Sequence, residues 1–326
     1  MEKVRWGIIG CGDVAERKSG PAFNKIEGSE LVAVMRRNGE KARDFARRHG
    51  AAKWYDDADA LINDADVNAV YVATPPSLHA EYTIKAARAG KAVYVEKPMA
   101  LNYGQCEQMI EVCRQESVPL FVAYYRRALP DFLKVKELVD GGAIGEPRFV
   151  SIELYHPAKP NMDPTALPWR VLPEISGGGY FFDLGSHQLD FLDYVFGPIV
   201  SVNGRAANQA GLYPAEDIVC ANFAFECGVL GSGVWCFTVS QNCRTDRTQI
   251  VGTKGRIVYS SFDVTAVRLE TDNGDEEFNV PRPQYVQQPL LQNVVDDLLG
   301  RGECPSTGVS GSRTSRVMDE IIGVPH

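Results

Sequence analysis

Asp183 and His187 stand four residues apart in the run Gly177 to Asp190, GGGYFFDLGSHQLD. On a helix that spacing puts both side chains on one face, and a carboxylate beside an imidazole can pass a proton near neutral pH. Lys97 is a third candidate, set between Glu96 and Pro98 directly after the apolar run Ala92 to Val95. Its ammonium would stabilise negative charge developing on an oxygen, and the proline fixes the backbone beside it. Such groups handle protons and charge; a redox reaction needs a further partner for the electrons.

The start of the chain offers a place for that partner. Val4 to Ile9 is apolar and runs into Gly10-Cys11-Gly12-Asp13-Val14-Ala15, which fits G-x-G-x-x-A. At a strand-to-helix turn the first glycine permits the bend, the second admits a phosphate to the backbone, and the helix aims N–H groups at a pyrophosphate. Alone, the glycines also fit an ordinary tight turn. The context favours the dinucleotide: strands over Glu30–Met35, Ala69–Ala73, Ala92–Val95 and Val118–Ala123 alternate with helices over Glu40–Arg48 and Leu78–Ala89. That alternation predicts a doubly wound parallel sheet whose ligand lies beyond the carboxyl ends of its strands, where Thr74, Pro75 and Glu96 to Pro98 fall. Arg36 and Arg37 end the second strand, where an NAD-binding domain usually places an acid; with Lys41 they favour NADP(H), dual use of NAD(H) being left open.

The 326 residues exceed one compact core, so two domains are expected: a Rossmann domain over 1–125 and an α+β domain over 126–326. In the second, a helix over Asp131–Asp140 precedes strands at Arg148–Tyr155, Val200–Arg205, Ile218–Phe225, Val229–Thr238, Arg247–Val251, Arg256–Ser260 and Val267–Glu270. The overall expectation is α/β, a doubly wound sheet followed by a large, mostly antiparallel open sheet with apolar residues on both sides of several strands. The proline-rich segment 157–168 reads as a loop near the substrate that delivers Trp169-Arg170. A net charge of −8 gives no footprint for nucleic acid or an anionic membrane. Eight cysteines without a C-x-x-C pair and five histidines without H-x-x-x-H predict reduced thiols and no metal site. With no signal-like h-region and no membrane-length apolar run, the chain is expected in the cytoplasm, acting on a small molecule.

The series G-x-G-x-x-A, T-P-P-S-L-H, E-K-P, W-R and G-G-G-x-x-x-D-x-G-x-H resembles the Gfo/Idh/MocA oxidoreductases over nearly the whole chain. Trp169-Arg170, the glycines 177–179 and Val34-Met35 before the arginines are most similar to its anhydrofructose reductase and dimeric dihydrodiol dehydrogenase branches. The resemblance implies that Lys97 lies beside the nicotinamide and the reacting carbon, and that Asp183 and His187 are the substrate-binding acid and the proton-transferring histidine. It implies cofactor roles for His79, Trp169, Arg170 and Tyr285, substrate contacts for Arg127 and Trp169, and a sheet face used for homodimers or homotetramers. Ala123 and Tyr124-Tyr125 depart from the family pattern. The expected activity is hydride transfer between nicotinamide and a carbonyl or hydroxyl carbon of a carbohydrate-like substrate. His187 or Lys97 would supply the proton, while Asp183 either orients His187 or holds a substrate hydroxyl. Two other functions share the fold: a non-catalytic dinucleotide-responsive regulator, and an NAD-dependent glycosidase.

Overall fold

Six short runs, β1 (Val4–Ile9), β2 (Ser29–Met35), β3 (Lys53–Tyr55), β4 (Ala69–Val72), β5 (Ala92–Val95) and β6 (Leu120–Val122), pair in parallel in the order β3-β2-β1-β4-β5-β6. The computed structural model describes residues 2–159 and 163–324, so residues 160–162 of the expected substrate loop lie outside the described residues. β4 and β5 share the sequence AVYV and are buried at every position, as parallel strands covered on both faces must be. Tyr71 and Tyr94 fall opposite each other in this pair and their rings stack, centroids 5.1 Å apart. Strand order reverses between β1 and β4, the switch point that opens a crevice at the carboxyl ends of the strands.

The chain divides into Met1–Ala128 with Pro283–Ser312, and Leu129–Arg282 with Arg313–His326. The division corrects the sequence expectation, which ended the first domain at residue 125 and left 283–312 in the second. The cause is long-range hydrogen bonding: the Gln287 amide donates to Glu96 Oε1 at 2.6 Å, and the Ser306 hydroxyl to the Val122 carbonyl at 2.7 Å.

The second unit holds an eight-stranded sheet. Its strands are β7 (Pro147–Pro157), β8 (Ile199–Ala207), β9 (Ile218–Phe225), β10 (Leu230–Val239), β11 (Thr245–Gly252), β12 (Gly255–Tyr259), β13 (Val267–Thr271) and β14 (Gly274–Phe278). They are ordered β14-β13-β12-β11-β7-β10-β9-β8, and only the β7–β10 pair is parallel. One face is apolar and buried, with Ile152, Leu154, Val219, Phe223 and Trp235. The other carries Ser151, Glu153, Asn203, Arg205, Cys220 and Asn222 around a shallow concavity of about 340 Å³ together with Phe149, Tyr155, Leu230 and Val234, so this face mixes polar and apolar side chains. Helices Pro130–Asp140 and Ser186–Phe196 meet on the buried side through Phe132 and Phe191, whose rings pack edge to face at 4.8 Å. No helix among the described residues is long and apolar enough to cross a membrane.

The C-terminal segment packs onto the second unit partly through a fork. Arg313 Nε and Nη2 donate to Asp193 Oδ2 and Oδ1 at 2.9 and 2.5 Å, and Asp193 is buried on the helix Ser186–Phe196. Because Arg313 keeps some access to water, the loss on breaking the fork falls below that of a fully enclosed pair. Asp193→Ala is expected to destabilise the protein by about 2–3 kcal/mol; an unchanged denaturant midpoint would contradict it.

Candidate active site

The glycine turn is built from main chain. Gly10 and Cys11 N–H both donate to the Met35 carbonyl, at 2.9 and 3.2 Å, so β2 holds the turn in place. Gly10 has φ +91°, and a Cβ there would come within 2.9 Å of the Ala73–Thr74 backbone. At Gly12 the reverse holds: the nearest atom to a Cβ would be 3.9 Å away, so this position borders open space. The first helical bond runs from Glu16 N–H to the Gly12 carbonyl at 2.8 Å, placing the amides of Asp13, Val14 and Ala15 ahead of it, the groups a helix offers an anion. The open side at Gly12 and the buried, unpartnered hydroxyl of Thr74 at the end of β4 fit a bound dinucleotide. Burial pushes the Cys11 thiol up to about 11, so this cysteine remains a neutral packing group.

At the end of β2, Arg36 Nη1 donates to the Cys11 carbonyl at 3.3 Å, while Arg37 and Lys41 are exposed. Asn38 caps the helix Gly39–His49 by accepting from Lys41 N–H at 3.0 Å, which fixes the turn carrying these cations. His79 is 0% exposed; Nδ1 lies 2.9 Å from the Pro98 carbonyl and Nε2 2.8 Å from the Thr74 carbonyl. Burial holds its pKa below the usual value. The ring thus braces the turn after β4, with Thr74 and Pro75, against the one after β5. Beside it Glu96 is buried and accepts from the Tyr71 hydroxyl at 2.5 Å, the Gln287 amide and the Lys97 N–H at 3.2 Å, while the Ser19 hydroxyl donates to the Tyr71 oxygen at 3.1 Å. Arg127, a sequence candidate for substrate contact, is enclosed and donates to the Pro305 carbonyl at 2.9 Å; Tyr285 is half-buried, with Lys25 Nζ 4.3 Å from its ring centroid.

In the second unit the run GGGYFFDLGSHQLD forms a π-helical turn, Phe181–Gly185, leading into the helix Ser186–Phe196. Asp183 therefore sits in the wider turn and His187 in the α-helix, rather than both on one regular helix. Gly185 permits the junction: a Cβ would lie 2.6 Å from the Phe181 ring and 3.3 Å from Trp235 Nε1. Trp235 Nε1 in turn donates to Gln188 Oε1 at 2.7 Å, locking the helix to β10. His187 is 3% exposed, its ring 6.1 Å from that of Phe262. Arg170 Nε donates to Asp183 Oδ2 at 3.1 Å, and the same guanidinium lies 4.4 Å from the Trp169 ring centroid. The W-R pair and the D-x-G-x-H segment are thereby joined.

Two groups escaped the sequence reading. Gln287 left no local signal, since its role depends on Glu96 far away in sequence. Tyr71 left one, the duplicated AVYV.

A doubly wound sheet with a glycine turn, a lysine at the end of β5 and an acid–histidine turn in a second sheet unit defines a nicotinamide-dependent oxidoreductase. The family described as "Oxidoreductase family, NAD-binding Rossmann fold" matches residues 4–124, and the "GFO/IDH/MocA C-terminal domain" matches 132–258. The chain belongs to the Gfo/Idh/MocA family of NAD(P)-dependent oxidoreductases acting on CH–OH groups. It is 39% identical to Oxidoreductase P35 of Formosa agariphila over 98% of this chain and 99% of that protein. It is 27% identical to the 1,5-anhydro-D-fructose reductase of Ensifer adhaerens, over 94% and 92% of the two chains. The crystal structure of aldose-aldose oxidoreductase from Caulobacter crescentus complexed with glycerol superposes with a TM-score of 0.86 at 28% identity, covering 99% of this chain and 97% of that one.

The geometry at Gly12 separates folding from binding. Gly12→Ala is expected to leave thermal stability unchanged, because its Cβ would make only an ordinary 3.9 Å contact with the Gly10 carbonyl, and to weaken dinucleotide binding at least about tenfold by filling the phosphate's place. Calorimetric titration beside a melting curve checks both, and unaltered affinity would refute the assignment of the turn.

Proposed function

We propose that this oxidoreductase uses NADP(H) in preference to NAD(H), and that it interconverts a carbonyl and a hydroxyl on a sugar-like substrate with His187 as proton donor and acceptor. The observation that carries the catalytic part is the Asp183–Arg170 pair on the turn leading directly to the enclosed His187. Relatives named for anhydrofructose reduction and aldose oxidoreduction support the substrate class. Arg37 and Lys41, exposed beside the end of β2, support the cofactor preference by offering charge to a ribose phosphate.

Gly10, Gly12 and the amides of Asp13 and Val14 would hold the pyrophosphate, and the cations after β2 the adenosine end. Thr74, Pro75, Lys97, Trp169, Arg170 and Tyr285 would serve the remainder, with His79 acting through the turns it braces. When bound, the reduced nicotinamide supplies a hydride to the carbonyl carbon. Lys97 stabilises the oxygen as charge develops there. His187 gives that oxygen its proton and takes it back in the reverse direction. Asp183, steadied by Arg170, orients the imidazole and presents a carboxylate to substrate hydroxyls, with Trp169 bordering the same place.

NADPH is expected to bind about ten- to a hundredfold tighter than NADH, the value of one good charged hydrogen bond; fluorescence titrations giving equal or reversed affinities would remove the preference. His187→Asn is expected to lower kcat by about 10² to 10⁴ with NADPH affinity intact. Single-turnover rates that match the unmodified enzyme would end the histidine's assignment.

A further inference from the structure

The buried face of the second sheet carries one row that is not wholly apolar. Its register sets Asp246 of β11 beside Leu154 of β7, and Leu154 beside Trp235 of β10, all three buried. Trp235 holds the helix of His187 through Gln188, and Asp246 holds a loop. Continued past its last pair, Thr248 with Tyr259, the β11–β12 register would bring Ser261 opposite Asp246. Instead, three successive amides fold over the carboxylate: Ser261 N–H donates to Oδ1 at 3.0 Å, and Phe262 and Asp263 N–H donate to Oδ2 at 2.7 and 2.9 Å. The Ser260 hydroxyl donates to the Asp246 carbonyl at 2.8 Å. Two arginines add to the hold. Arg244 forks Asp263 at 2.8 and 2.6 Å, while Arg282, bound to Asp131, donates to the Phe262 carbonyl at 3.3 Å. Two residues beyond Phe262 the loop is open to water, with Val264 74% exposed. The bonds therefore gather on the three residues centred on Phe262, whose ring meets that of His187 edge to face, at 6.1 Å and 68°.

We propose that Phe262 is a positioning residue for the reaction, fixing the imidazole of His187, and that the Asp246 carboxylate sets Phe262 in place. The inference rests on the reading of His187 as the proton donor and acceptor. A ring packed edge-on to an imidazole limits its rotation and keeps water from that side. His187 is then held twice, its helix tied to β10 through Trp235 and its ring abutting a loop tied to β11 through Asp246. Such precision matters, because misplacing a reacting group by about 1 Å can cost about 10²-fold in rate. A carboxylate suits the anchor: two acceptor oxygens take three amides, where the side-chain amide of asparagine would offer one oxygen and turn its NH₂ towards a donor.

With NADPH and a carbonyl substrate, Phe262→Ala is expected to lower kcat about 10- to 10²-fold while both KM values stay within about twofold. Phe262→Leu, which keeps an apolar side chain in the loop, is expected to recover most of that loss. Asp246→Asn is expected to lower kcat in the same manner, and Asp246→Asn/Phe262→Ala to be no slower than Phe262→Ala alone, since both changes act through one ring. In substrate-free protein, the ring-proton NMR signals of His187, identified by their loss in His187→Asn, are expected to move in Phe262→Ala and in Asp246→Asn. Arg244→Gln loosens the same loop at Asp263 and takes the place of Asp246→Asn in these measurements if that variant does not fold. An unchanged kcat in Phe262→Ala overturns the role of Phe262. His187 signals that stay in place when the loop is loosened, or losses in kcat that add fully in the double variant, overturn that of Asp246. If His187→Asn turns over as fast as the unmodified enzyme, the proton-transfer reading fails and the rate effects with it, while the NMR signals still decide whether the loop sets the imidazole.

Discussion

A carboxylate removed from water costs several kcal/mol unless donors replace its hydration, and Glu96 is such a group. Three donors surround it: the Tyr71 hydroxyl from β4, the Lys97 amide from its own turn, and the Gln287 side chain from the returning segment. Each comes from a different stretch of chain, so satisfying one charge fixes three backbones. Ser19 extends the set to the glycine-turn helix through the Tyr71 oxygen. The backbone position of Lys97 follows from this arrangement and from the His79 brace.

The second unit reaches rigidity by a different route. Its acid–histidine turn is packed among aromatic rings, Phe181 against Phe182 and Trp235, and Phe191 against Phe132 and Tyr259. Polar groups enter in pairs, Trp235 with Gln188 and Arg170 with Asp183. The π-turn fits this crowding: it widens the backbone where Gly185 meets Phe181, and the helix regains α geometry at Ser186.

The five buried strands of the first sheet, β1, β2, β4, β5 and β6, were legible because parallel strands covered on both faces read as continuous apolar runs bounded by helices, and the glycine turn and E-K-P fell where that alternation put them. The strands without such a signal are β3, Lys53–Tyr55, and β14, Gly274–Phe278. Both are short and neither holds a fully buried residue, so no apolar pattern reveals them. The Asp183–His187 segment was legible as a chemical pair but not as a π-turn, since its geometry depends on Trp235, distant in sequence. Arg170 was legible only as part of a W-R motif; its bond to Asp183 needed coordinates. The same holds for segment 283–312, whose place is decided by two polar side chains, Gln287 and Ser306.

The two units are discontinuous in the chain, and this orders events during synthesis. The Rossmann strands emerge from the ribosome first, yet Gln287 follows only after the entire eight-stranded sheet has been made. Until then the nascent Glu96 lacks one of its donors, and the second unit lacks the guanidinium of Arg313 for Asp193. Neither unit can be obtained whole by cutting the chain at a single point, and a premature stop near residue 280 would deprive Glu96 of its Gln287 donor and Asp193 of its Arg313 fork.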